Sequence, residues 1–407
     1  MSNNLQYIKE TQYLLLKDID LSFKRFLYDE IDFNQRLIGI VGPRGVGKTT
    51  LILQYLKEKY HKNENALYFL ADSALFKKGD LLNLAREFYL KQGGRLICVD
   101  EIHRYENWNQ ELKNIYDTLP DLKIIFSGSS SLNLVKGKYD LSRRGVIYNL
   151  GGFSFREYLS FKKGIDIKKF NLNKLIRNYQ KISVDLTEIE NVLKSFNEYL
   201  IAGYYPFFKE TGNWQLYFQQ INNVIDKIIY EDIASSYSLK TRNLIAFKQI
   251  LCFLATISPG EINVNKLANS LGKNHATISE YLNILEEASL IRFLSSGKAG
   301  HSLARRPKKV FLDNTNLMEA VNNNLGRAAN KGTMRELFVL NQLQNAGYAP
   351  AYTSRGDLLV DGYTFEIGGK NKDRKQIKNI KKSYLALDDI IVADKGKIPL
   401  YLFGFFY

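Results

Sequence analysis

Residues 36 to 50, RLIGIVGPRGVGKTT, constrain this chain more than any other stretch. A short apolar run enters a glycine-rich turn, and TTLILQYLKEKYH then carries apolar side chains at helical spacing. A buried strand that passes through such a loop into a helix is the building unit of a parallel sheet covered by helices. The loop also fits the spacing G-x-x-x-x-G-K-[ST]. Across Gly42, Pro43, Arg44, Gly45, Val46 and Gly47 the backbone would wind so that its N–H groups face a phosphate chain at the positive end of the following helix. Lys48 would reach the β and γ phosphates, the Thr49 hydroxyl would bind Mg²⁺, and Thr50 completes the segment. The cofactors implied are ATP and Mg²⁺.

Such a loop needs an acidic partner at the end of a neighbouring strand, and RLICVDEIHR supplies one. Asp100 would hold Mg²⁺, directly or through water, and Glu101 would orient and polarise an attacking water. ALYFLAD and LKIIFSGSS are further short apolar runs, which together predict an α/β domain with a mostly parallel sheet up to about residue 155. Ser127 and Ser129 in FSGSSS stand where a side chain could sense the γ phosphate, although serine is also ordinary turn chemistry. Arg143 and Arg144 in DLSRRG offer an arginine finger, acting within the chain or on a neighbour, with a surface cation as the alternative for one of them.

Further along, 156–240 reads as helical. Within 241–312, LIAFKQILCFLATI, INVNKLANSLG and NHATISEYLNILEEASL precede an alternating IRFL and a basic RRPKKVFLD, the layout of a winged helix. Its third helix, the recognition helix, offers Lys273, Asn274 and His275, and the ribbon offers Arg305, Arg306, Lys308 and Lys309. Phosphate contacts are therefore expected to outweigh base reading, and packing as a lid or oligomer contact is the alternative. From residue 313 a helix, GTMRELFVLNQLQNAG, leads into strands YAPAYTS, DLLV and YTFEIGG, and IPLYLFGFFY is expected to be a last buried strand.

In that order, GPRGVGKTTL, VDEIHR, FSGSSS, DLSRRG and GGFSFREYL resemble the bacterial and archaeal P-loop ATPases of the AAA type. YLIAGYYPFF and IIYEDI resemble their helical region, and GTMRELFVLNQL with EIGGKNK resembles the C-terminal domain that often accompanies them. The resemblance implies an α/β multidomain chain: a RecA-like ATPase domain (1–155), a helical lid (156–240), a winged helix (241–312) and a restriction-endonuclease-like C-terminal domain (313–407).

That last domain raises a chemical question. Nuclease cores of the PD-(D/E)XK type set an acidic residue on one strand and Glu-x-Lys on the next, so that two carboxylates hold Mg²⁺ and the lysine positions water. Asp357 and Glu366 fit the carboxylates, and Glu336 could add a third. The residue two beyond Glu366 is Gly368, and the nearest cation is Lys370, on the same strand face but about 7 Å further along. Either the glycines kink Lys370 back into place or the domain has kept the fold and lost the cutting, and loss is the expectation. The basic run Lys372, Arg374, Lys375, Lys378, Lys381 and Lys382 could still follow a phosphate backbone.

The formal net charge of +15 favours an anionic partner. Cys98 and Cys252 lie in apolar runs, as buried thiols in a reducing compartment. No apolar stretch approaches the roughly 20 residues that span a bilayer, so no membrane is expected and a cytoplasmic location follows. Three functions fit: an ATP-hydrolysing switch coupled to DNA without sequence preference, an ATP-regulated metal-dependent nuclease, or a protein-directed ATPase that never touches nucleic acid. A homo-oligomer is compatible with each.

Overall fold

The computed structural model describes residues 2–60, 65–71, 80–129, 141, 143–237, 239–258, 260, 263–296 and 308–407. They form two compact units, Met1–Gly151 and Gly152–Tyr407.

The first unit contains α1 (Ser2–Lys17), β1 (Leu37–Val41), α2 (Lys48–Tyr60), β2 (Ala66–Leu70), α3 (Asp80–Gln92), β3 (Leu96–Asp100), α4 (Trp108–Thr118), β4 (Lys123–Gly128) and β5 (Val146–Asn149). All five strands pair in parallel in the order β2-β3-β4-β1-β5. Continuous burial along β1 and β3 reflects helices on both faces of the sheet. Ile97, Val99, Ile124 and Phe126 meet Trp108, Leu112 and Ile115 of α4 in one apolar core. The two sheet edges differ. On β2 the buried side chain of Gln12 imitates a strand, donating to the Ala66 carbonyl at 3.3 Å and accepting from the Tyr68 N–H at 2.7 Å. On β5, which the apolar pattern does not reveal because its side chains are largely exposed, Val146 and Ile147 stay open to solvent.

The second unit continues with α5 (Phe155–Lys163), α6 (Leu172–Asp185), α7 (Val192–Ala202), α8 (Trp214–Lys227), a π-helical turn (Ile228–Ile233), α9 (Ala234–Tyr237), α10 (Thr241–Thr256), α11 (Val264–Ser270) and α12 (His275–Glu287). The antiparallel pair β6 (Ile291–Ser295) and β7 (Lys308–Leu312) follows, then α13 (Thr315–Asn324) and α14 (Lys331–Asn345). The chain closes with β8 (Leu358–Val360), β9 (Tyr363–Gly368), β10 (Ser383–Leu387) and β11 (Lys397–Pro399), a four-stranded sheet in the order β11-β10-β9-β8. Asparagine starts six of these helices: the side chains of Asn171, Asn213, Asn263, Asn274, Asn314 and Asn330 each accept from a backbone N–H of the first turn.

Two sequence expectations need correction here. YAPAYTS forms only isolated bridges at Ala351 and Tyr352. IPLYLFGFFY is strand only through Pro399, and Leu400–Phe405 is a 3-10 helix whose Tyr401, Phe403 and Phe405 pack with Phe155, Phe196 and Phe365. Its apolar character serves an aromatic core, not a ladder.

Candidate functional site

β4 lies between β3 and β1, so the sheet brings three strand ends side by side: the glycine loop after Val41, Asp100, and Ser127 with Gly128. Crevices at the carboxyl ends of parallel strands are where ligands of such sheets bind. Gly42 must be glycine for a packing reason, since a Cβ there would lie 2.1 Å from the Leu150 carbonyl. Gly45 and Gly47 sit at φ 80° and 95°, the left-handed conformations that let the loop wind. The loop is tied from outside by Arg25, whose buried guanidinium donates to the Val46 carbonyl and, at 2.8 Å, to the Gly151 carbonyl.

Lys48, 4% exposed, donates to the carbonyls of Gly42 at 3.0 Å and Pro43 at 2.9 Å, so its ammonium is held inside the loop. The Thr49 hydroxyl donates to Asp100 Oδ2 at 2.6 Å. Asp100 is fully buried and also accepts from the Tyr68 hydroxyl at 2.8 Å, from the Ser127 hydroxyl, and from the Glu101 N–H at 3.1 Å. Four donors converge on one carboxylate, so its buried oxygens are fully partnered. Burial and the neighbouring Asp100 push the Tyr68 phenol well above its ordinary pKa, keeping it a donor.

Glu101 follows in the left-handed region at φ 54°. Its Oε2 lies 3.7 Å from Arg44 of the loop and 3.6 Å from His103 Nε2. His103 Nδ1 in turn accepts from the Ser129 N–H at 3.4 Å, which brings the second serine to the same edge. Thr50 is exposed on α2. Within the chain, Arg143 and Arg144 do not join this group. Gly145 abuts Leu37 at the opposite, amino end of β1, and Arg144 grips Asp117 with Nε at 2.9 Å and Nη2 at 3.0 Å, while Arg143 is exposed. Nothing in the sequence marks Tyr68, His103 or Arg25 as site residues. Tyr68 is hidden in an apolar strand, and no motif spacing marks Arg25.

Among the described residues no group of three or more His, Cys, Asp or Glu side chains is arranged to hold a metal ion. The oxygen set of Thr49, Asp100 and Ser127 nevertheless has the chemistry of a hard cation that keeps several waters, as Mg²⁺ does.

Residues 34–159 match the family model described as an AAA domain. The amino-terminal domain is an AAA-type P-loop ATPase domain. Residues 193–326 match a domain of unknown function, DUF8612. An uncharacterized protein of Methanocaldococcus jannaschii, MJ1637, is 27% identical over 435 residues, covering 97% of this chain and 90% of that protein. Solved structures with local likeness include AMPPCP-bound DnaA from Aquifex aeolicus (17% identity, 69% of this chain and 88% of that one, TM-score 0.27) and C. elegans PCH-2 (16% identity, 69% and 68%, TM-score 0.23). Superpositions this loose carry no weight for function.

Outside the AAA domain, the carboxylates expected in the second unit do come together. Glu366 is buried on β9, and Asp357, just before β8, accepts from the Ile367 N–H at 2.7 Å. Lys370, the sequence candidate for the missing lysine, is exposed; Lys372 reaches Glu366 Oε1 at 2.6 Å instead. A Cβ on Gly368 would lie 2.7 Å from the Lys372 stem, so the glycine in the lysine's place makes room for a lysine that folds back from the next turn. Burial would depress Lys372, but its bond to Glu366, with Asp357 and Glu336 nearby, raises it above the ordinary value. Burial and the Asp357 charge push Glu336 up to about 7. Lys309 lies 3.9 Å from Glu336, inside this cluster. The rest of the basic run divides: Arg374 is spent on the Gly396 and Ser383 carbonyls, whereas Lys378 and Lys381 are exposed.

In α12, Asn274 spends its side-chain oxygen on the Thr277 N–H at 2.8 Å, and Lys273 donates to Asn243 at 3.2 Å. His275 is exposed. Arg305 and Arg306, and the side chain of Lys308, lie outside the described residues.

Proposed function

We propose that the protein is an ATP-hydrolysing switch of the AAA type, in which turnover in the first unit sets the state of the second, and that a basic surface of the second engages DNA without reading its sequence. The observation that carries the first half is the Thr49–Asp100 hydrogen bond beside a buried Lys48. Backbone N–H groups of residues 42 to 47 would cradle the phosphates, and Lys48 would exchange its two carbonyl partners for phosphate oxygens. Thr49 and Asp100 would hold Mg²⁺, which when bound offsets charge on the β and γ phosphates. Glu101 would accept the proton of the attacking water, and Arg44 and His103 orient its carboxylate.

For the DNA half, charge decides where contact belongs. α12, the recognition helix in a winged-helix reading, carries Glu280, Glu286 and Glu287 and no Lys or Arg, so a phosphate-lined groove would repel it. The exposed Lys370, Lys378 and Lys381 are better placed for a phosphate backbone. The deciding experiment is ATP turnover with and without duplex DNA at moderate and high salt, with Lys48→Ala as the blank. Salt-sensitive stimulation supports coupling to DNA. Turnover indifferent to DNA removes that half and favours a protein partner.

A second reading, an ATP-regulated nuclease, is favoured by one observation: Lys372 supplies beside Glu366 the ammonium that Gly368 lacks. Mg²⁺-dependent plasmid nicking that is lost in both Glu366→Ala and Lys372→Ala would support it. Nicking unaffected by either substitution would come from a contaminant.

A further inference from the structure

An open cavity of about 590 Å³ lies in the first unit, away from the phosphate loop. Two elements run from one place to the other. α2 starts at Lys48 and carries Tyr55 and Tyr60 into the cavity wall, roughly 10 to 18 Å along its axis at 1.5 Å per residue. β4 ends at Gly128 beside Asp100 and begins at Lys123, which also lines the cavity, about 16 Å away along the strand. The cavity is therefore not an extension of the nucleotide site.

Its wall is aromatic. Phe33 stacks on Tyr55 with centroids 3.9 Å apart and planes 6° from parallel, Tyr28 stands 5.5 Å from Phe33, and Tyr60 lies 5.9 Å from Tyr55. Tyr28 and Tyr55 are buried, while Phe33 and Tyr60 keep part of their surface open. Three lysines face two carboxylates around this wall. Lys24 sits on Glu58 at 2.6 Å and covers the Tyr28 ring at 4.2 Å. Lys59 shares the same Glu58 at 3.9 Å. Lys123 donates to the Phe33 carbonyl at 3.2 Å and forms no ion pair among the described residues.

A cationic ligand would meet surplus positive charge and find the Tyr28 face already covered by Lys24. A neutral sugar would leave the excess of lysines over carboxylates in the lining unanswered. What complements the cavity is a flat ring system joined to an anion. We propose that it binds a nucleoside phosphate, the base against Phe33 and Tyr60 and the phosphate between Lys59 and Lys123. Free nucleotide and one unit of a single strand present the same chemistry. This site stands independently of hydrolysis at the loop.

The test uses the full chain carrying Lys48→Ala, which silences the loop, and follows fluorescence anisotropy of labelled AMP and of labelled hexathymidylate. Saturable binding of either probe is expected, weakened about tenfold by Lys59→Ala and by Lys123→Ala. Binding of AMP identifies a free nucleotide, and binding of the oligomer alone identifies a strand. Lys59 is exposed, so its removal leaves the fold intact and a loss of binding can be read directly. No binding of either probe at millimolar concentration, or binding indifferent to both substitutions, overturns the proposal.

Discussion

The Thr49 hydroxyl and the Asp100 carboxylate meet at 2.6 Å, joining the first turn of α2 to the end of β3 across the tip of β4. A hydroxyl and a carboxylate in contact are the two protein oxygens that an octahedral cation would take up together. Thr49→Ala is expected to leave metal-free nucleotide binding nearly unchanged while lowering magnesium-dependent turnover about 10²- to 10³-fold. Phosphate release measured beside binding in EDTA checks this, and Thr49→Ser should restore most of the rate. Equal loss of binding and turnover would make Thr49 a packing residue.

Glu101 Oε2 lies 3.7 Å from Arg44 of the loop. As a general base it should be dispensable for binding. Glu101→Gln is predicted to retain ATP affinity while turnover falls about 10²- to 10⁴-fold. Full turnover in this variant would remove Glu101 from the chemistry.

The candidate nucleotide site is legible from residues 36 to 50 and 96 to 101 because strand, loop and helix are contiguous and the spacing leaves few alternatives. What the sequence hides are contacts made through space. Tyr68 is indistinguishable from a core tyrosine until β2 is set beside β3, where its hydroxyl meets Asp100. Arg144 looks like a finger in DLSRRG, yet Gly145 fits only against Leu37, which carries the pair to the far end of β1. Lys372 reaches Glu366 through a turn that strand periodicity does not describe. The tail departs from the expected strand because an apolar run reports burial and leaves strand and 3-10 helix undistinguished.

Glu336 yields a pH prediction with a definite sign. Burial and Asp357 push its pKa up to about 7 from the ordinary 4.5, so between those values the folded chain holds a proton that the unfolded chain has released. Unfolding free energy therefore falls as pH rises through this window, by roughly 3 kcal/mol in all. Glu336→Gln should be close to neutral at pH 4.5 and stabilising at pH 8, where urea denaturation compares the two proteins. Parallel stability curves across pH 4.5 to 8 would show that the carboxyl is solvated and unshifted.

Arg292 and Asp313 close a buried polar network that explains why the second unit is a single compact body. Arg292 Nε donates to the Asp313 carbonyl at 2.7 Å and lies 2.9 Å from Asp313 Oδ1 as an ion pair, and its two terminal nitrogens donate to Gln344 at 3.1 Å and Asn345 at 2.8 Å. Asn341 and Asn345 lie on α14 with Gln342, which donates to the Tyr199 hydroxyl at 3.0 Å and the Tyr407 hydroxyl at 3.2 Å. One guanidinium thus ties β6 to α14, and α14 carries the link onward to α7 and the chain end. Asp313→Ala would strand a buried cation and is expected to cost about 3–5 kcal/mol. Arg292→Lys should recover little, because an ammonium cannot span three acceptors in the planar fork. Hydrogen exchange distinguishes a hub from a local bond. A hub predicts that β6, α13 and α14 lose protection together in Asp313→Ala, because each is fixed by partners that the network aligns. Loss confined to the β6–β7 pair would mean that apolar packing alone holds the helices, with Arg292 serving only the hairpin.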